Sequence, residues 1–470
     1  MSGLYDLVII GGGAAGLTAA EFAARLGARV ALVERHRLGG DCTWTGCVPS
    51  KALLHVARVA QMVRMAGLYG VDSAVSAVDI DMSRVREYVR RTVAEIYQTE
   101  TPEKLTALGV DVVLGEARFR DAFHVEVGEQ LLAGKHFLVV TGARPFLPPI
   151  PGLVDVPFET YETIFENGRL PKRLLVLGAG AVGVELAQAY ARLGAQVTMV
   201  DVALLPELEP EVGEVLGEVL AGEGVTFISG LVSAVSHHDG HIYLQVEQTT
   251  LEGDCLLVAA GRKPNVQNLA LERAGVNWLP TGIPVNDQLQ TNVKHIYAAG
   301  DCVNDFQFTH FAGWQAFQAA RNALLPGTGK GRTDIVPFAI FTDPEIAHVG
   351  LSETVAREKL GREVRVAWRD MGQVDRAVMD DARHGFIKIV HRSNGELLGA
   401  TIVAARAGEM ITEFALAMQH GLKLGDLARV MHVYPTYSIG IQRLTTAVVT
   451  EAFLASRSGK IARRLAGLPV

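Results

Sequence analysis

Cysteine is scarce in this chain of 470 residues: there are four, at 42, 47, 255 and 302, too few for a secreted framework of several disulfides, so a reducing compartment is expected. Long apolar runs are missing too, since none approaches the ~20 residues that a helix needs to cross a bilayer. The first residues lack the basic lead and extended apolar stretch of a signal peptide, because Asp6-Leu7-Val8-Ile9-Ile10 runs straight into glycines. These absences give the expectation of a cytoplasmic protein with no membrane span. Charge is sparse, at 20% of residues, and 44 basic against 51 acidic side chains leave a formal net charge of −7. With no dense Lys/Arg run to track phosphates, nucleic acid is not an expected partner. What the chain does have is apolar material, 49% of residues, enough to exclude disorder as the main state. It also has 49 glycines where about 33 would follow from ~7% usage, an excess that signals close backbone approaches. At ~100–200 residues per domain, the length corresponds to roughly two to four domains.

One pattern occurs twice: a short apolar run, a Gly-x-Gly-x-x-Gly turn, an alanine-rich helical stretch, and a second apolar run ending in an acid. In the first copy Leu7-Val8-Ile9-Ile10 leads into Gly11, Gly13 and Gly16, and Val30-Ala31-Leu32-Val33 ends in Glu34. In the second, Leu174-Leu175-Val176-Leu177 leads into Gly178, Gly180 and Gly183, and Val197-Thr198-Met199-Val200 ends in Asp201. Each reads as a parallel βαβ unit, because continuous apolar runs mark strands covered on both faces. The glycines permit a tight turn and close approach of the backbone to a pyrophosphate, whose charge the helix N-terminus stabilises. A single such turn is a weak signal, since glycine-rich turns close many strand–helix corners without a ligand. Two copies, each with strand, helix and acid in place, predict two dinucleotide sites, with Glu34 and Asp201 accepting hydrogen bonds from ribose hydroxyls. A 2′-phosphate would need basic partners after the second strand, and Asp201 to Pro210 contains no Arg, Lys or His, so NADH is expected over NADPH.

The proline-rich stretch from Pro145 to Gly152 separates the two copies and predicts a domain border near 145–155. Gly261-Arg262-Lys263-Pro264-Asn265 is a second punctuated stretch, where the chain can leave the inserted unit. After Pro337 the style changes to strand-like runs at 386–390 and 397–403 and helices from Gly408 to Leu422, the pattern of a separate α+β domain. Between Ser83 and Leu108, Val85, Tyr88, Val89, Val93, Ile96 and Tyr97 recur at helical spacing and predict one long amphipathic helix with a solvated face.

The segment Gly39-Gly40-Asp41-Cys42-Thr43-Trp44-Thr45-Gly46-Cys47-Val48-Pro49-Ser50-Lys51 carries two of the cysteines. In a regular helix, α-carbons five residues apart stand roughly 8.6 Å apart, beyond the ~7 Å limit for a disulfide. A bridge therefore needs an irregular turn between them, which Gly46 can supply. Pro49 suits the first turn of a helix, placing Cys47 at a positive helix end that would stabilise a thiolate, and Lys51 lies four residues on along the same face. An arbitrary Cys-x4-Cys would be a pair of buried apolar cysteines, the reading that fits Cys255 and Cys302. No second close Cys/His pair offers four ligands at zinc spacing, so no metal site is expected.

Cys42 to Lys51, with both glycine turns, resembles the flavin-dependent pyridine nucleotide-disulfide oxidoreductases: dihydrolipoamide dehydrogenase, glutathione reductase and mercuric reductase. The resemblance extends over essentially the whole chain, through Thr141-Gly142-Ala143-Arg144-Pro145, 261–265, Thr291 to Asp301, and Val336 to Glu345. It implies an α/β fold with two Rossmann-like dinucleotide-binding domains, for FAD and NAD, and a C-terminal α+β dimerisation domain. Residues 1–148 and 268–335 would form the FAD-binding domain, 149–267 the NAD(P)H-binding domain and 336–470 the homodimer interface, each active site borrowing residues from the other chain. FAD would lie on the first turn, with Ala117, Thr141, Gly142 and Asp301 on the flavin side, and the nicotinamide dinucleotide on the second turn, with Gly261 nearby. Cys47 matches the thiol that touches flavin and Cys42 the interchange thiol facing the acceptor. Lys51 and Glu185 match the pair near flavin N5, where positive charge favours the reduced ring.

One departure bears on the acceptor. Disulfide-reducing members carry a His-Pro-Thr-x-x-Glu-like motif, and the corresponding stretch here is Tyr434-Pro435-Thr436-Tyr437-Ser438-Ile439. A phenol with an ordinary pKa of ~10 is ionised about one part in a thousand at pH 7, about 4 kcal/mol from a working base, whereas an imidazole at ~6.5 is poised. His432, two residues away, reads as structural. Mercuric reductases also lack that histidine and place aromatic residues there, as Tyr434 and Tyr437 would be placed. They also carry a vicinal cysteine pair near the C-terminus, and no cysteine follows Cys302 in this sequence. The expectation is an NADH-oxidising FAD enzyme with a redox disulfide between Cys42 and Cys47, whose acceptor needs no histidine: a metal ion, a quinone-like molecule or, slowly, dioxygen. The alternatives are a true disulfide reductase with an unusual partner and a redox-sensing flavoprotein with slow turnover.

Overall fold

The computed structural model describes residues 3–71, 79–303, 305–327 and 329–469, and its backbone divides into two compact units. The first comprises Met1–Val202 and Glu223–Thr333, the second Ala203–Gly222 and Asp334–Val470.

The first unit opens with β1 (Tyr5–Ile10), α1 (Ala14–Arg25) and β2 (Val30–Glu34). β1 lies between β2 and the strand Gln130–Val139, parallel to both, and Val110–Leu114 extends the sheet beyond β2. On the other side of Gln130–Val139 the short strand Ile296–Ala298 joins in parallel, so a segment far along the chain returns to complete the sheet that the first repeat begins. β1 is apolar throughout because both faces are covered. Leu7 and Ile9 point into one core with the alanines of α1 and of the helix Thr309–Leu324, while Val8 and Ile10 point into another with Phe119, Val125 and Phe137. Ala19, Ala20 and Ala23 share the first of these cores with Ala316, Ala319 and Ala320, small residues that let two helices approach closely over the sheet.

The second repeat builds the same way. Arg173–Leu177, the helix Ala181–Leu193 and Gln196–Asp201 form a parallel unit, and Thr226–Ser229 and Cys255–Val258 flank it. A meander of three antiparallel strands, from Val232 to Gly253, packs Val235, Ile242 and Leu244 against Leu175, Leu177 and Val200. The two segments that join the repeats pair with each other, Ala143–Pro145 against Arg262–Pro264, so the proline-rich stretch and the Gly261 stretch are two sides of one ribbon.

The expected single helix over 83–108 is two. Asp81 caps a helix Met82–Tyr97 by accepting from Ser83 and Arg84, with Met82, Val85, Val89 and Val93 buried. The chain then breaks, and a short second helix runs Pro102–Ala107. Pro102 lacks the N–H that a continuous helix would require, yet fits a first turn.

The second unit is a five-stranded antiparallel sheet in the order Phe338–Ile340, Glu345–Gly350, Leu397–Ala404, Phe386–Arg392, Val364–Asp370. The helix Ala407–Gln419 shares its main core. Lys388 in this sheet is 2% exposed and pairs with Glu209, Glu211 and Glu353 at 3.1, 2.8 and 2.9 Å. The whole is a mixed α/β fold with a C-terminal α+β domain. No helix among the described residues is long and apolar enough to cross a membrane.

Candidate active site

The cysteine segment is pressed onto the first glycine turn. Gly39 donates its N–H to the Gly12 carbonyl at 2.8 Å and bridges to Gly13. A Cβ on Gly40 would lie 2.7 Å from the Gly13 α-carbon. α2 (Gly40–Trp44) carries Cys42, the chain then turns through Thr45 and Gly46, and α3 (Cys47–Met65) begins at the second cysteine with Pro49 in its first turn. A Cβ on Gly46 would come 2.9 Å from the Asp41 carbonyl oxygen and 3.3 Å from the Cys42 α-carbon. That close return folds Cys47 back onto Cys42, the irregular turn that the spacing required.

Both sulfurs are free thiols here, and their acidities are driven apart. The Cys47 thiol is lowered to about 6, first by a hydrogen bond from Cys42, then by the Thr309 hydroxyl 3.4 Å away and the positive charge of Lys51. Cys42 is pushed far up, because it holds the proton it donates to Cys47, is largely desolvated, and faces the developing charge on its neighbour. The pair therefore divides the work into one thiolate and one thiol. Cys302 and Cys255 behave oppositely: burial pushes them up to about 11 and about 12, and Cys302 donates to the carbonyls of Val139 and Ala299.

Lys51 and Glu185 meet although 134 residues apart, with Nζ 2.8 Å from Oε2 and the carboxylate buried. α3 brings Lys51 one turn beyond Cys47, and the helix after the second glycine turn brings Glu185. Arg262 reaches Asp301 at 2.9 Å and Asp41 at 3.0 Å, and its guanidinium lies over the Tyr161 ring. Burial raises the pKa of both carboxylates while Arg262 opposes it. Thr141 and Gly142 lie at the end of Gln130–Val139, clasped by Asn265: Thr141 donates to its carbonyl, its side chain donates back to the Thr141 carbonyl, and its N–H donates to Gly142. Ala117 is buried two residues past Gly115, whose N–H donates to the Glu34 carbonyl. Gly261 occupies the left-handed region, at φ +116°.

The two phosphate turns test whether dinucleotides fit. A Cβ on Gly16 would collide with the Gly11 carbonyl, and one on Gly183 with that of Gly178, so packing within the chain accounts for these glycines. The middle glycines differ. Gly180 has φ −74° and open space where a Cβ would go, and at Gly13, with φ −81°, the nearest atom would be 3.6 Å away. Nothing in the chain itself demands glycine there, whereas a pyrophosphate resting on the helix N-terminus would. Neither helix has a side-chain cap, which leaves the first amides to such a ligand. Glu34 accepts from Gly12 and His36 at 2.7 and 2.9 Å, and Asp201 from Ala179 and Val202, both at 2.7 Å. Each acid braces its own turn, a task that sequence reasoning had not assigned. The donor set fits two dinucleotides.

Tyr434 stands in the second unit, exposed, beside the Asp375–Arg443 ion pair, where Arg443 first and then the Tyr434 hydroxyl hold the Asp375 carboxyl below its ordinary range. Tyr437 is buried and donates to Asp380 at 2.9 Å. His432 has Nδ1 on the Val430 carbonyl and Nε2 on Glu413, both nitrogens occupied, as a structural histidine would have them. Sequence reasoning missed Thr309, Tyr161 and the roles of Asp41 and Arg262. No spacing links Thr309 to a cysteine 262 residues away, and the charge of Asp41 beside Cys42 was the one available signal.

Comparison with known proteins agrees with this geometry. Residues 5–316 match the model of the pyridine nucleotide-disulphide oxidoreductase family, and residues 336–444 match its dimerisation domain. Mercuric reductase of Staphylococcus aureus is 36% identical over 451 residues, covering 94% of this chain and 82% of that protein. Dihydrolipoyl dehydrogenase of Thermus scotoductus is 34% identical over 460 residues, covering 95% and 98%. Among solved structures, the Cu(II) complex of the HOCl-induced flavoprotein disulfide reductase RclA from Escherichia coli superimposes with a TM-score of 0.84 at 28% identity, covering 95% of this chain and all of that one.

Proposed function

The chain belongs to the pyridine nucleotide-disulphide oxidoreductase family, FAD-dependent enzymes that use NAD(P)H, and from that premise we propose that it oxidises NADH and passes electrons through Cys42 and Cys47 to a soft metal ion or a quinone-like molecule. The observation that carries this reading is the divided thiol pair beside Lys51 and Glu185, in a chain with Tyr434 where disulfide-reducing relatives have histidine.

Bound FAD would supply two-electron exchange between nicotinamide and sulfur. Gly11, Gly13 and Gly16 with the first amides of α1, together with Glu34, Ala117, Thr141, Gly142 and Asp301, would hold it. Gly178, Gly180, Gly183, Asp201 and Gly261 would hold NADH, and the carboxylate of Asp201, with no cation in the residues after it, would repel a 2′-phosphate. Lys51 keeps a positive charge beside the Cys47 thiolate, and Glu185 fixes its ammonium in place. Cys42 keeps its proton until the pair closes, then releases it to the acceptor side. Tyr434 would come from the second chain of a homodimer and shape the acceptor's approach without carrying a proton. Mercury(II), copper(II) and quinones accept electrons without needing a histidine acid, and two thiols hold soft ions well.

The test is reoxidation of the NADH-reduced, flavin-loaded protein by lipoamide, glutathione disulfide, Hg(II), Cu(II) and a quinone in turn. Metal ions or quinone should reoxidise it quickly and small disulfides slowly; fast reoxidation by lipoamide or glutathione disulfide defeats the proposal.

A further inference from the structure

The helix Arg457–Leu465 sorts its side chains into two faces. At about 100° per residue, Ile461, Ala462 and Leu465 fall on one side and Arg457, Lys460, Arg463 and Arg464 on the other. Helices of a folded domain normally turn such an apolar face inward. This one turns it to solvent: Ile461 is 49% exposed and Leu465 85%, with Leu468 beyond them and Phe453 before them also exposed. Its anchorage is small. Gly459 is buried against the Phe453 carbonyl, and Ser456 caps the first turn by accepting from the Gly459 N–H. From 452 to 470 the sequence has four basic side chains and no acidic one, although the chain as a whole carries −7. The match to the dimerisation model ends at residue 444, so this helix lies outside it.

We propose that Arg457–Leu465 docks the protein on an anionic lipid surface, lying in the plane of the interface with Ile461, Leu465 and Leu468 among the acyl chains and the four cations at the level of the phosphates. An anionic bilayer surface satisfies both faces at once. A second copy of the helix, packed apolar face to apolar face, would cover the leucines and isoleucine but leave the four cations without an opposite charge, and a nucleic acid would meet the cations but leave the apolar side chains in water. The inference is independent of the electron acceptor, since binding is read without turnover.

The experiment is co-sedimentation of the full, flavin-loaded chain with vesicles of phosphatidylcholine alone and of equal parts phosphatidylcholine and phosphatidylglycerol. The protein should pellet only with the mixed vesicles and be released by salt. Lys460→Gln with Arg464→Gln should weaken binding about 25-fold, at roughly fivefold per cation near such a surface. Ile461→Ser with Leu465→Ser should abolish pelleting, and both double variants should keep the parent rate of flavin reduction by NADH. Failure to pellet with the anionic vesicles overturns the proposal. So does unchanged binding of the Ile461/Leu465 variant, which would make the contact one of charge alone. Dissociation of a dimer by either variant, seen in the ultracentrifuge, would assign the face to a second copy and overturn it as well.

Discussion

Removing the Cys42 thiol should raise the pKa of its neighbour while leaving the fold of the site in place. The hydrogen bond from Cys42 is the largest of the effects that lower Cys47 to about 6, ahead of Thr309 and Lys51. A group at that value is about nine-tenths ionised at pH 7, and one at the ordinary ~8.5 is about 3% ionised, so Cys42→Ala can reduce the thiolate fraction by up to about thirtyfold. Thr309 and Lys51 remain and hold the loss nearer tenfold. Cys42→Ser keeps a donor in the same place and should leave the midpoint close to its parent value. The direction is fixed by the depression: the thiolate is present above the folded value and is lost as pH falls through about 6, and in Cys42→Ala that loss moves to higher pH. Alkylation rate against pH, measured on the reduced, flavin-loaded protein, gives the midpoint directly, and the long-wavelength thiolate-to-flavin band gives it independently. Cys47→Ser should abolish that band. If Cys42→Ala still titrates near 6, the hydrogen bond is not what holds the thiolate, and the division of labour between the two sulfurs is wrong.

Three further outcomes are expected. Gly183→Ala drives a Cβ into the Gly178 carbonyl and should cost about 2 kcal/mol in urea denaturation, whereas Gly180→Ala enters open space and should leave stability within ~0.5 kcal/mol while raising the KM for NADH about tenfold; parent-like NADH kinetics in Gly180→Ala would remove the case for a phosphate on that turn. Lys388→Met strands the buried Glu209 carboxylate among two other acids and should cost about 3–5 kcal/mol. Lys388, with a smaller contribution from Arg357, holds Glu353 below the ordinary carboxylate range, so the parent should also lose stability as pH falls through that lowered value, a loss smaller in Lys388→Met, where Arg357 remains, in an acid titration followed by circular dichroism. Tyr434→His should raise turnover with lipoamide or glutathione disulfide by about tenfold or more, because an imidazole near ~6.5 can carry the proton that a phenol cannot; no gain would show that residue 434 does not reach the thiols.

Much of this was legible in the sequence because it is local. A phosphate turn is a strand, three glycines, a helix and an acid within about 30 residues, and both copies formed as the spacing required. The irregular turn at Gly46 and the helix starting at Cys47 likewise follow from distances inside one short segment. Long-range pairings were legible only by resemblance: nothing near Glu185 marks it as the partner of Lys51, and a helix interior is an ordinary place for glutamate. Thr309 carried no mark at all, since a hydroxyl opening a helix usually means nothing more than a helix start. The break before Pro102 was also written in the sequence: the apolar stripe ends at Tyr97, where the first helix ends, and only its extension past the proline to Leu108 was mistaken.

The bracing roles of Glu34 and Asp201 and the position of Arg262 connect these pieces. Each acid ties the amide in the middle of its glycine turn to the end of the neighbouring strand, so the turn's shape is set before any phosphate arrives, and the entropy of ordering it is not charged to binding. The segment carrying Cys42 is held to the first of these turns through Gly39 and Gly12, and Arg262 ties it to Asp301 by bridging that carboxylate and Asp41. Burial pushes both carboxylates, Asp301 more deeply covered than Asp41, toward taking up a proton, and the guanidinium between them opposes that. The same cation lies within electrostatic reach of Cys47. The Cys47 thiolate thus sits where separate stretches of chain converge: the cysteine segment itself, Thr309 and Arg262.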